Sequence, residues 1–162
     1  MKSQPTFVVR LSVEADVTAV LTCLAEAFAP YKHNYTAEAF LDTVLSPETI
    51  KYRMKNMKIF VTESQSTGEI VGTVACNLLT PDEGHIRGMA VLPSFQGAGI
   101  AQQLLDHAQA EMLAQNCVRI TLDTTAPLKR AICFYQKNGF QASGRVTDFF
   151  SMPLYEYIKT LK

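Results

Sequence analysis

Two glycines, Gly97 and Gly99, stand where the apolar pattern of this chain changes period. Before them runs an apolar segment ending Met89-Ala90-Val91-Leu92-Pro93. After them Ile100, Ala101, Leu104, Leu105, Ala108 and Met112 fall on one face at helical spacing, with Gln102, Gln103, Asp106 and Gln109 on the other. A strand handing over to a helix through glycine can take positive φ and let a ligand approach the backbone closely. The first turn of the helix adds free N–H groups and the positive end of its dipole. Such a loop suits a phosphate or pyrophosphate, although a plain tight turn into a helix needs no more than this.

Flanking residues separate the phosphate-loop types. A nucleotide-triphosphate loop needs Lys-Ser/Thr after its glycines, and Ile100-Ala101-Gln102 supplies neither. A dinucleotide fold would read Gly97-x-Gly99-x-x-Gln102, with Asp123 at the end of the next strand as its ribose contact. Its third glycine is missing, Leu92-Pro93-Ser94-Phe95 intervenes between strand and loop, and too little chain follows Asp123 for six parallel strands. A dinucleotide-binding domain therefore stays only as a remote alternative.

The rest of the chain alternates strand and helix signals. Phe7 to Leu11 reads as a strand. Ser12 with Glu14, Ala15 and Asp16 supplies capping chemistry for a helix through Phe28, ended by Pro30. Helices are predicted over Thr36 to Leu45 and after Ser46-Pro47-Glu48, and strands over Lys58 to Glu63, Ile70 to Leu79 and His85 to Val91. Val118 to Asp123 is a strand, Leu128 to Lys137 a helix closed by Asn138-Gly139, and strands follow from Phe140 and over Leu154 to Thr160. The pattern predicts an α/β or α+β domain with a mixed, mostly antiparallel sheet flanked by helices. At 162 residues the whole chain, 1–162, is expected to form one domain.

A formal net charge of zero, with no basic block, gives no electrostatic footprint for nucleic acid. The opening residues Met1 to Thr6 turn polar without an apolar signal core, and no run approaches the ~20 residues needed to span a bilayer. A cytoplasmic protein without a membrane or nucleic-acid partner is expected. Cys23, Cys76, Cys117 and Cys133 are widely spaced and lie off metal-ligand spacing, so they read as reduced thiols and no metal is expected. Cys133, among apolar neighbours, reads as a small buried residue.

Gln96-x-x-Gly99-x-Ala101 resembles the Gln/Arg-x-x-Gly-x-Gly/Ala signature of the GNAT acyltransferase superfamily. Downstream, Ala131-Ile132-Cys133-Phe134-Tyr135-Gln136-Lys137-Asn138-Gly139-Phe140 is similar to that family's Ala-x-x-x-Tyr-x-x-x-Gly-Phe segment. The opening Val9-Arg10 strand followed by Asp16 and a helix agrees, so the resemblance covers nearly the whole chain. It implies a sheet that splays between its fourth and fifth strands, those ending at Val91 and beginning at Val118, to admit acetyl-CoA as co-substrate. The same resemblance assigns the cofactor contacts to Met89, Ala90, Val91, Gln96, Gly97, Ala98, Gly99, Ile100, Ala101 and Gln102. A backbone N–H near Ala90 or Val91 would polarise the thioester carbonyl. Where family members often carry an asparagine this chain has Leu128, and Thr124 or Thr125 is the expected substitute.

The implied chemistry is transfer of an acetyl group to a primary amine of a small molecule or peptide, directly, in a ternary complex. Tyr135 corresponds to the family's proton donor to the departing thiolate. His85 stands where some members place a glutamate base, and an imidazole with its pKa near ~6.5 can take the amine proton. Glu83, two residues earlier on the same strand face, is the alternative base. Tyr31, His33, Tyr35, Phe149, Phe150, Met152 and Tyr155 are candidates for the acceptor wall, and Lys129, Arg130 and Lys137 for the adenosine 3′-phosphate. A non-catalytic acyl-CoA-binding module is the alternative reading, and sheet edges or C-terminal strands are the surfaces through which a homodimer would form.

Overall fold

The computed structural model describes residues 6–161. The polar opening stretch 1–5 lies outside the described residues. Strand β1, Phe7–Leu11, leads through a 3-10 turn at Glu14–Asp16 into helix α1, Val17–Phe28. The turn is capped by Asp16 and not by Ser12: its carboxylate accepts the Val13 N–H at 2.8 Å and holds Arg10 on both oxygens, at 2.7 and 3.0 Å. The Arg10 guanidinium keeps the Asp16 carboxyl below the usual carboxylate range against the opposing effect of burial.

Pro30 follows the end of α1 at Phe28 by two residues, as the sequence predicts. It sits in the first turn of a 3-10 helix over Ala29–Asn34, where a missing N–H leaves no bond unmade. Helix α2, Ala37–Val44, starts at Thr36, whose hydroxyl accepts the Ala39 N–H, and α3, Pro47–Asn56, starts at Ser46, which does the same for Thr49. Strands β2, Lys58–Ser64, and β3, Ile70–Thr80, then pair antiparallel, and β4, Glu83–Val91, returns along β3. Pro81 and Asp82 alone make that turn, so β4 begins two residues earlier than the sequence pattern predicts.

After β4 come a short 3-10 helix, Pro93–Phe95, then α4, Ile100–Ala114, β5, Arg119–Thr124, and α5, Lys129–Lys137. A final hairpin joins β6, Gln141–Phe149, to β7, Met152–Thr160. The sheet order is β1-β2-β3-β4-β5-β7-β6. Among the described residues only β4 and β5 run parallel, which removes the doubly wound parallel sheet of a dinucleotide-binding domain.

Helix α4 packs its stripe on the sheet: Ile100, Leu104, Leu105, Ala108 and Met112 are all buried. Each large side chain there contributes roughly 1.5–3 kcal/mol over leaving it in water. Ala101, predicted on the same stripe, is half-buried and turns to the cleft described below. Among the cysteines, Cys23, Cys76 and Cys117 are buried free thiols. Cys133 is exposed, contrary to the sequence reading, because α5 packs on the core only through half-buried Ile132, Phe134 and Tyr135, and Cys133 stands off that face. No helix among the described residues is long and apolar enough to cross a membrane.

Candidate active site

The parallel pairing of β4 and β5 stops short. Glu83 to Ile86 are in register with Arg119 to Leu122, and beyond that pair the strands part. Their outer edges stay bonded, β4 to β3 as far as Val91 and β5 to β7 as far as Thr124. The open inner edges bound a cleft of about 440 Å³ lined by Ile86 to Val91 on one side and Leu122 to Thr124 on the other. An inner strand edge left unpaired is rare unless something adds to it.

One end of the cleft is the glycine loop. Gly97 and Gly99 have φ of +87° and +82°, and a side chain added at either would project into open space. The first backbone bond of α4 runs from Gln103 N–H to Gly99 C=O at 3.1 Å, so among the described residues the amides from Gly97 to Gln102 have no protein acceptor. Gln96 ties the loop to the strand end by donating from Nε2 to Val91 C=O at 3.2 Å. Free amides at a helix N-terminus, with a backbone that only glycine adopts readily, fit a diphosphate.

Tyr135 projects from α5 across the cleft, and its hydroxyl reaches Met89 Sδ of β4 at 3.9 Å. Its ring lies edge-on to Phe134 and Phe140. Burial in these apolar surroundings pushes its phenol up to about 12, so it is fully protonated at neutral pH.

His85 and Asp123 sit at the base of the split. His85 Nδ1 is 2.9 Å from Thr121 Oγ1, and Nε2 is 3.8 Å from Asp123 Oδ2. Asp123 lines the cleft, and His85 stands behind it. Desolvation lowers the His85 pKa, against the raising influence of the Asp123 carboxylate. Desolvation raises Asp123 in turn, with His85 opposing. The pair is therefore held with a neutral imidazole at neutral pH, ready to accept a proton.

The structure brings together Tyr135 and all the predicted cofactor residues except Ala98, which is exposed and does not line the cleft. Glu83 is not brought to the site. It lies at the far end of β4, and its carboxylate takes Arg119 at 2.5 Å inside the paired part of the sheet. Of the acceptor-wall candidates, Tyr31 lines the cleft. Tyr35 spends its hydroxyl on Thr125 Oγ1 at 2.7 Å, and the Phe150 carbonyl accepts from Thr36 at 2.7 Å. Arg130 lines the cleft, whereas Lys129 and Lys137 are exposed surface. Leu128 also lines it, as does Thr124, which carries a buried hydroxyl without a partner among the described residues. Asp123 entered the sequence reading only as a ribose contact, and Arg53 and Arg87 did not enter it at all. The signal for Arg87 was its i, i+2 relation to His85 on one strand face.

A family model described as "Acetyltransferase (GNAT) family" matches residues 21–140. The chain belongs to that family. Among curated relatives, "N-alpha-acetyltransferase MAK3" of Arabidopsis thaliana is 28% identical over 86 residues, 51% of this chain and 45% of that protein. "Glucosamine 6-phosphate N-acetyltransferase" of Trypanosoma brucei brucei is 31% identical over 88 residues, 50% of this chain and 57% of that one. The chain thus spans about half the length of the curated relatives it matches. Among solved structures, the PaiA N-acetyltransferase of Thermoplasma acidophilum, in complex with coenzyme A, superposes with a TM-score of 0.77 at 16% identity, covering 96% of this chain and 99% of that one. The ribosomal-protein-S18-alanine N-acetyltransferase of Escherichia coli gives 0.77 at 15%, covering 97% and 95%. These likenesses show the GNAT fold, which the described residues of this chain build as a seven-stranded, mostly antiparallel sheet flanked by helices.

Proposed function

We propose that the protein is an acetyl-CoA-dependent N-acetyltransferase that moves the acetyl group to a primary amine by direct transfer in a ternary complex. The observation that carries this is the split between β4 and β5, with free loop amides at one end, the Tyr135 hydroxyl across its middle and the His85–Asp123 pair at its base. Acetyl-CoA supplies an acetyl group already activated as a thioester. The chain's own part is placement and proton handling.

The amides of Gly97 to Gln102 hold the diphosphate, and the free edge of β4 from Met89 to Val91 takes the pantetheine arm as an added strand. Thr124 takes the polar contact that Leu128 leaves without a donor, because Thr125 is committed to Tyr35. The His85–Asp123 pair accepts the proton the amine loses, directly or through water. Tyr135 donates a hydrogen bond to the departing sulfur. With its phenol near 12 and a thiol near ~8.5, full proton transfer to the thiolate runs uphill, so stabilisation by the hydrogen bond is its main contribution.

Four free cysteines support the cytoplasmic, reducing setting in which such a reaction would run. The exposed outer strand β6 supports the expectation that two copies pair along a sheet edge. Incubating the protein with acetyl-CoA and a panel of primary amines, with thiol release and product mass followed together, tests the reading. Acetylated amine appearing in step with free thiol is the expected result. Saturable CoA binding without thiol release on any amine would instead identify a binding module.

A further inference from the structure

Two charged side chains are buried among the described residues, Asp16 and Arg53, each 7% exposed. They are treated oppositely. Asp16 is held by Arg10 on both oxygens. Arg53 enters none of the ion pairs or side-chain hydrogen bonds among the described residues. Its stem is buried while its guanidinium nitrogens, without a protein partner, keep contact with solvent, so a counter-charge can reach them from outside.

Its position says what arrives. Arg53 extends from the C-terminal half of α3 onto the irregular stretch of β4, where Gly88 has a φ of +64°. A Cβ placed on Gly88 would lie 2.6 Å from Arg53 Nη1, so glycine is what lets the guanidinium reach the strand. Gly88 and Arg87 both line the cleft. Arg87 is bonded to Asp42 of α2 at 3.2 Å, which leaves two guanidiniums sharing one carboxylate. Burial and the nearby Arg87 push Arg53 down to about 10, and it stays charged at neutral pH.

The diphosphate of the cofactor does not explain this charge, because the free amides that suit it lie beyond Gln96, at the other end of the cleft. Two residues back from Arg87 along the same strand the charge changes sign. His85 is neutral there beside Asp123, and Glu156 is a further carboxylate close enough to influence both. Two residues of strand span roughly 7 Å. The cleft wall thus offers the Asp123 carboxylate for an amine and, two strand residues from His85, the Arg87 guanidinium for an anion, with Arg53 against Gly88 just behind that wall.

We propose that Arg53, with Arg87, binds the anionic group of the acceptor, and that the acceptor is a small primary amine also carrying a phosphate or carboxylate. The inference rests on the acetyl-transfer reading for the word acceptor, while the anion site has a readout of its own.

Matched amines provide the first test: phosphoethanolamine against ethanolamine for phosphate, and an α-amino acid against its amide for carboxylate. The charged member of at least one pair should be acetylated with a KM ten-fold or more below its neutral partner. Arg53→Met should erase that preference while the KM for acetyl-CoA is unchanged, and Arg53→Lys should restore part of it. The second test needs no turnover. With CoA bound to fill the glycine loop, millimolar inorganic phosphate should raise the Tm of the wild type and not that of Arg53→Met. The free Arg53→Met protein should be about as stable as the wild type, since the head group it loses has no protein partner among the described residues. Phosphate stabilisation lost in Arg53→Met without any acetyl transfer would sink the transfer reading and leave the anion site standing. Equal rates for charged and neutral amines, or phosphate stabilisation unchanged by the substitution, would overturn the site itself.

Discussion

His85 and Thr121 face each other across the parallel β4–β5 pair, Nδ1 to Oγ1 at 2.9 Å, and that contact aims the other ring nitrogen at Asp123. The Thr121 hydroxyl also reaches Gly84 C=O at 3.5 Å. With its proton given to that carbonyl, Thr121 accepts from Nδ1–H, and Nε2 keeps its lone pair toward the 3.8 Å gap before Asp123. A lone pair facing a carboxylate across a gap is a place for a proton to arrive.

This geometry sets a pH dependence. The folded pKa of His85 is lowered, so the folded chain binds that proton less readily than the unfolded chain. Its contribution to stability is present above ~6.5 and is lost as pH falls through the folded pKa. With His85 as the proposed base, activity should follow the same direction, because only the neutral imidazole accepts a proton. The acid limb of kcat/KM should have its midpoint below ~6.5, as a property of the His85–Asp123 pair. In His85→Gln that limb should vanish and kcat should fall by roughly 10²–10⁴, the usual range for general base catalysis. An unchanged acid limb in the variant would remove His85 from the mechanism.

Tyr135→Phe separates a hydrogen bond from a proton transfer. A hydrogen bond to a charged sulfur is worth ~1.5–3 kcal/mol, so its loss should lower kcat by roughly 10- to 150-fold. General acid catalysis would be lost over a range reaching 10⁴-fold. Steady-state kinetics with acetyl-CoA affinity measured separately should give the smaller loss and an affinity within two-fold or so of wild type. A kcat equal to wild type would refute the role.

The glycine loop and the Tyr135 helix were legible in the sequence because backbone conformation and helical period are local properties. Gly97, Gly99 and Tyr135 stand where their flanking residues predict. His85 and Glu83 show the limit. The two share a strand face, but only pairing with β5 decides that Glu83 meets Arg119 while His85 meets Asp123 near the split. Arg53 was invisible for a stronger reason. In sequence it is one more basic residue in the last turn of a polar helix, and its burial follows from the irregularity of β4 at Gly88, 35 positions away.

Gly99 begins α4 in the left-handed conformation, at φ +82° and ψ +7°. A methyl group there meets nothing within 4 Å, so Gly99→Ala costs backbone strain and no clash. Stability should fall by roughly 1–2 kcal/mol. CoA affinity should fall with it, since the free amides shift as the strain relaxes. Gly99→Asn, which tolerates that conformation better, should recover most of both losses in thermal unfolding and CoA titration. Equal behaviour of Ala and Asn would mean that φ at this position is not what holds the loop.

Thr124 and Thr125 are neighbours with opposite predicted behaviour. Both are buried, but the Thr125 hydroxyl is bonded to Tyr35 at 2.7 Å while the Thr124 hydroxyl has no partner among the described residues. Removing one member of a bonded pair strands the other, so Thr125→Val should cost the free protein about 1 kcal/mol or more. Thr124→Val removes an unsatisfied buried oxygen and keeps the side-chain shape, so the free protein should be equally or more stable. If Thr124 supplies the contact absent at Leu128, the same substitution should weaken CoA binding about 2- to 10-fold, the worth of one net hydrogen bond. Calorimetric unfolding and CoA titration of the two variants then give a signature of opposite signs: Thr124→Val more stable and a weaker binder, Thr125→Val less stable with nearly unchanged binding. Thr124→Val with both quantities unchanged would leave Leu128 without its substitute, and the pantetheine arm would then be held by the strand edge alone.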